Sequence, residues 1–182
     1  MENVMTSFNK KLYSLIPSPC YERPFVCDGH PEQCTVIVIG KNPVTPLARD
    51  WWSYWDDNSG FDLEMFQSVY ESERVVAQKP PVSPTRRRLN RLRRNGLTCL
   101  ETNVFRSEDE DSPTIGISNS DLLEFFVGNI PTLKAVIAHG DVAAAFLSRQ
   151  SVPRHIRVYT TRHFCKESYE KIDKISQEIL TL

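Results

Sequence analysis

Four short stretches of the chain, residues 35–39, 97–104, 133–138 and 156–160, are built largely from β-branched and apolar residues. The runs TVIVI and AVIA within them are almost unbroken, the pattern of strands covered on both faces. Between these runs the spacing turns helical. Residues 83–95 open on Ser-Pro-Thr, a capping sequence, and end at Asn95-Gly96, a stop. Residues 121–128 and 141–147 also read as helix. Residues 166–180 carry Tyr169, Ile172, Ile175 and Ile179 on one stripe, and residues 4–16 form a weaker helix ending at Pro17. Strands alternating with helices predict an α/β sandwich around a small parallel sheet. Such sheets place ligands in the crevice beyond the carboxyl ends of their strands, so the residues that follow each strand are the ones to inspect.

Composition narrows the class without changing this layout. With 182 residues, 40% of them hydrophobic, the chain suits one domain with an ordinary core. Its 22 basic and 23 acidic residues give a net charge of −1, which excludes a histone-like binder but not a local basic patch. No apolar run approaches the ~18 residues of a membrane span. The start shows no signal-peptide pattern, so a cytoplasmic protein is expected, nuclear in a eukaryote, with no membrane and no obligate protein partner. Five cysteines, with no C-x-x-C pair among them, read as reduced thiols, and no metal or cofactor is expected.

Polar groups recur after the strands. The first is followed by Gly40-Lys41-Asn42-Pro43, in which Gly frees the backbone and Pro fixes it, setting Asn42 on a rigid turn. The second strand carries Glu101-Thr102-Asn103. His139-Gly140 follows the third and opens a helix. Thr161-Arg162-His163-Phe164 ends the fourth. Singly, such residues cap strands or pack in cores; jointly, two carboxamides and an imidazole beyond parallel strand ends suggest a site. None is a strong nucleophile, and no carboxylate pair or Ser/His/Asp order accompanies them.

This arrangement resembles the uracil-DNA glycosylase superfamily. Gly40-Lys41-Asn42-Pro43 is similar to its first motif in the Asn-containing form of the mismatch-specific and single-strand-selective branches. Asn103, 61 residues later, matches the base-reading Asn, and His163, another 60 residues on, the His of the last motif. Gly140 falls where the family has a Gly opening a helix. The resemblance covers about residues 34–180 and implies a three-layer α/β/α fold with a four-stranded parallel sheet. Two departures stand out. Val44-Thr45 replace the aromatic that closes the pocket to thymine, leaving space for a 5-substituted pyrimidine. The last motif reads His163-Phe164-Cys165 where the family has His-Pro-Ser.

The chemistry of such an enzyme assigns further roles. A base must be extruded, held and cleaved from its sugar. For stacking, the segment WWSYWDDNSGF offers Trp55 first and Phe61 second, although such aromatics are also ordinary core. The Asn103 carboxamide both donates and accepts, as a pyrimidine reader must. A neutral His163 donating to O2 would stabilise the departing anion, and Asn42 would orient water, as the resemblance implies. Asp56 or Asp57 can add base function if either faces the pocket; otherwise they cap a loop. Between Lys79 and Arg94 lie six arginines and no acid, with Arg87, Arg91 and Arg94 on one helix face. These, with Arg86, are candidate phosphate contacts, or else a solvated face balanced by the acidic tetrad 108–111. Phe164 is a candidate wedge into DNA and Lys166 a phosphate contact.

The expectation is therefore a single-domain, cofactor-free, monofunctional DNA glycosylase acting on uracil or another altered pyrimidine, with DNA as its partner. One rival is a catalytically silent nucleic-acid-binding relative. Another is a nucleoside or nucleotide N-glycosidase, for which the arginine helix would be superfluous.

Overall fold

The computed structural model describes residues 6–45, 47–106 and 119–182, so the acidic tetrad 108–111 lies outside the described residues. A five-stranded sheet runs through the middle in the order β1 (Phe25–Val26), β5 (Cys99–Asn103), β2 (Val36–Gly40), β6 (Ala135–His139) and β7 (Arg157–Thr161). The last four are mutually parallel. The four-stranded expectation is one strand short, because Phe25–Val26 pairs antiparallel with Thr102 and Glu101 at the sheet edge. Two residues with no flanking alternation carry too little pattern to be read as a strand.

Alternation along β2 shows why its sequence is apolar throughout. Ile37 and Ile39 enter one core with Phe8, Leu12, Leu122 and Phe126. Val36 and Val38 enter the other with Leu89, Leu92, Ile172 and Ile175. Side chains point to opposite faces at period 2, so a strand covered on both sides has no position left for a polar residue. The first layer holds α1 (Ser7–Leu15) and α4 (Ser120–Asn129), the second α3 (Pro84–Arg94) and α6 (Tyr169–Leu180).

The capping signals act where they were expected. Ser83 Oγ accepts from the Arg86 N–H at 3.1 Å, Pro84 occupies the first turn of α3, and Gly96 takes φ +95° just past its end. α5 spans Asp141–Leu147 as predicted. α6 begins three residues later than expected, since Ser168 caps it and Phe164–Lys166 forms a separate 3₁₀ turn. One helix was not anticipated: α2 (Leu63–Val76), capped by Asp62, whose buried positions are Leu63, Phe66 and Arg74. An arginine on the inward stripe conceals the apolar repeat. A two-stranded hairpin, β3 (Trp55–Asp56) with β4 (Gly60–Phe61), stands apart from the main sheet. No helix among the described residues is long and apolar enough to cross a membrane.

Candidate active site

The carboxyl ends of the parallel strands converge on the α3 face. Gly40 pairs in register with Asn103 across β2 and β5, and His139 ends β6. A Cβ on Gly40 would lie 2.8 Å from Asn103 Oδ1 and 3.0 Å from His139 Nε2. Glycine is required there by the close approach of those two side chains, not by an unusual backbone angle. Lys41, Asn42, Val44, Asn103, His139 and His163 all line one cavity of about 340 Å³, at the lower end of the size of small-ligand sites. Thus Asn42, Asn103 and His163, distant in the chain, do meet around one space. The Asn42 and Asn103 carboxamides make no hydrogen bond among the described residues, which leaves both open to a ligand.

Two imidazoles face each other here, with ring centroids 4.9 Å apart at 81°. His163 Nδ1 accepts from the Cys165 N–H at 3.3 Å and lies 2.9 Å from Cys165 Sγ, so its proton sits on Nε2. Burial and then the Lys166 ammonium lower its pKa, favouring the neutral ring. His139 is only 6% exposed and stacks on Phe164 at 4.4 Å. Its Nδ1 accepts from the Phe164 N–H at 3.4 Å, leaving its proton also on Nε2. Burial, assisted by the neighbouring His163, pushes its pKa down to about 3. His139 is the site residue that the strand-end argument named but did not use; its position after AVIA was the signal.

Beneath the carboxamides, Glu101 points to the same face as Asn103, two residues on. Its Oε1 lies 2.5 Å from an Nη of both Arg86 and Arg93. Burial alone would raise its pKa; the two guanidinium groups more than reverse this and hold the carboxyl at about 2. Glu101 is therefore a largely buried, ionised partner of α3, not a solvated strand-end acid.

Several expected site residues lie elsewhere. Phe61 is 2% exposed, and Trp55 stacks on Trp51 at 5.7 Å with its indole N–H donating to Asp57; neither lines the cavity. Both belong to the aromatic core with Phe25, across the sheet from α3. Asp57 Oδ1 also accepts from Asn9 and Tyr13, and Asp56 caps the turn at Asn58 and Ser59, so neither carboxylate faces the cavity. Phe164 is fully buried under α6 and cannot wedge into DNA without unfolding its turn. Arg86 is an interior ion-pair partner, not a phosphate contact. Arg91 is held bidentately by Asp173 at 2.7 and 2.8 Å, and Arg88 donates to the Glu167 carbonyl over the Tyr169 ring. Arg87, Arg94 and Lys166 remain exposed; Val44, 56% exposed, stands at the cavity mouth. Gly40 and Pro43 hold the turn that presents Lys41 and Asn42. The cavity's aromatic wall is Tyr70 of α2, whose hydroxyl donates to Ser83 Oγ. No group of three His, Cys, Asp or Glu among the described residues is placed to hold a metal ion. No family model matches the chain, and no curated protein matches it in sequence.

Proposed function

We propose that this chain is a DNA glycosylase, similar to the uracil-DNA glycosylase superfamily, that hydrolyses the N-glycosidic bond of uracil or another altered pyrimidine flipped out of DNA. The observation that carries this reading is the meeting of Asn42, Asn103 and His163 on one cavity, with both carboxamides unengaged and the imidazole proton on Nε2. Asn103 pairs with the pyrimidine edge, donating to one ring substituent and accepting from N3–H. Asn42 accepts from a water aimed at the sugar carbon. As the carbon–nitrogen bond breaks, its electron pair moves onto the pyrimidine, and His163 Nε2–H donates to the O2 that gains charge. Water supplies the new C–O bond and the proton balance, giving free base and an abasic sugar. A neutral donor suffices, because its hydrogen bond strengthens as the anion forms.

A second reading, a nucleotide N-glycosidase, is favoured by one observation: Arg86 and Arg93 are paired with Glu101, Arg91 with Asp173, and Arg88 with the Glu167 carbonyl, which reduces the arginine patch available to a DNA strand. A panel of oligonucleotides, each with one altered base, run beside the free nucleotides and scored for released base, decides between them. Release from the oligonucleotide, lowered about 10²–10³-fold by His163→Ala and by Asn42→Ala, supports the glycosylase. Release from free nucleotides alone supports the second reading. DNA binding with no release from either substrate overturns both and leaves a silent binder.

A further inference from the structure

We infer that the end of the cavity formed by α2 and α3 is an oxyanion subsite, taking a phosphate-class group carried by the bound substrate. Arg74 is the anchor. It is 7% exposed and lines the cavity, its Nε donates to the Pro80 carbonyl at 2.7 Å, and its guanidinium lies over the Tyr70 ring. No carboxylate among the described residues pairs with it. The contrast with Arg86 is direct: that guanidinium lies over the same ring, but Glu101 neutralises it. A guanidinium withdrawn from water without a counter-charge is costly to keep, and an anion that enters with the ligand removes the cost.

The surroundings fit the same charge. Lys79, exposed and with no acidic partner among the described residues, lines the same end. The first turn of α3, an 11-residue helix, contributes Ser83, Pro84 and Thr85 to the wall. Ser83 Oγ satisfies only the Arg86 N–H there, and the Thr85 N–H has no acceptor among the described residues. The one acid in the cavity wall among the described residues, Glu101, is already matched by Arg86 and Arg93. What carries the anion rests on the proposed function: a backbone phosphate of the extruded nucleotide or an acidic substituent on its base. The subsite itself does not depend on that reading.

Calorimetric titration of the full chain with inorganic phosphate at low salt tests it. One saturable site is expected, weakened about tenfold in Arg74→Met and less in Lys79→Gln, partly recovered in Arg74→Lys and unchanged in Lys174→Gln on α6. If Arg74→Met fails to fold, Lys79→Gln, on an exposed side chain, carries the test. Absence of saturable binding, or binding indifferent to both positions, overturns the subsite. Uracil and 5-carboxyuracil in one oligonucleotide separate the two sources. Selective loss of 5-carboxyuracil release in Arg74→Met, partly recovered in Arg74→Lys, identifies a base-borne anion. Equal loss for both bases, with weaker oligonucleotide binding, identifies the backbone. Release from neither base defeats the glycosylase reading while the phosphate titration still decides the subsite.

Discussion

The two faces of the sheet use their conspicuous residues in opposite ways. On the α1/α4 face, Trp51, Trp55, Phe25 and Phe61 look from their density like a platform for a base, yet they pack against one another as core. On the α3/α6 face a run of arginines looks like a phosphate-binding stripe, yet most of it is spent on Glu101, Asp173 and the Glu167 carbonyl. The proposed chemistry lies in the crevice on this second face, among single Asn and His residues that stand out only by their places after strands. Abundance of a residue type marks where a fold needs material; a site is marked by polar groups left without partners.

The comparison is broken most strongly by truncating the aromatic face. Phe61→Ala should cost about 3–5 kcal/mol of stability, read as a fall in the urea midpoint, while the rate of base release per folded molecule stays unchanged. A large change in that rate would return the aromatics to the site. On the opposite face, Glu101→Gln leaves two buried guanidinium groups facing a neutral amide, and a loss of roughly 3–5 kcal/mol is expected. A variant as stable as the parent would show that the ion-pair cluster is not what holds α3 to β5.

Acid sharpens the contrast further. The folded pKa of His139, about 3, lies below its unfolded value near 6.5, so the unfolded chain binds the proton first. Its contribution is complete above pH 6.5 and is withdrawn as pH falls toward 3, by about 1.4 kcal/mol per pH unit in the middle of that range. Glu101 acts in a lower window, its contribution being lost only as pH falls from about 4.5 through 2. Denaturation midpoints across pH 7 to 4 should therefore flatten in His139→Gln, and an unchanged slope would place the buried proton acceptor elsewhere. The smallest effect concerns the surface. Arg87→Gln and Arg94→Gln should each lower the slope of log affinity for DNA against log salt by roughly 0.7–0.9, and Arg91→Gln should leave it unaltered. Equal slopes in all three would remove α3 from any DNA contact.

How much of this was legible beforehand depends on the range of the interactions. α3 and α5 were readable because a cap, a stop and an apolar stripe are written within a few residues of each other. α2 was not, because its inward stripe ends in Arg74, whose burial depends on the Pro80 carbonyl and the Tyr70 ring. That Asn42, Asn103 and His163 would face one crevice was legible from their places at the strand ends. The pairing of Arg86 and Arg91 was not legible, because their partners, Glu101 and Asp173, lie 15 and 82 residues away.

By itself, then, the amino-acid order determined the alternation of strands and helices, the parallel sheet and the residues delivered to its carboxyl edge, since each follows from local periodicity and capping. Only the tertiary structure decided which aromatics are core, which arginines are neutralised, that His139 joins the cavity, and that Arg74 lines it with no carboxylate partner among the described residues. Those outcomes rest on which distant groups are brought within hydrogen-bond reach and out of water, and no local pattern encodes that pairing.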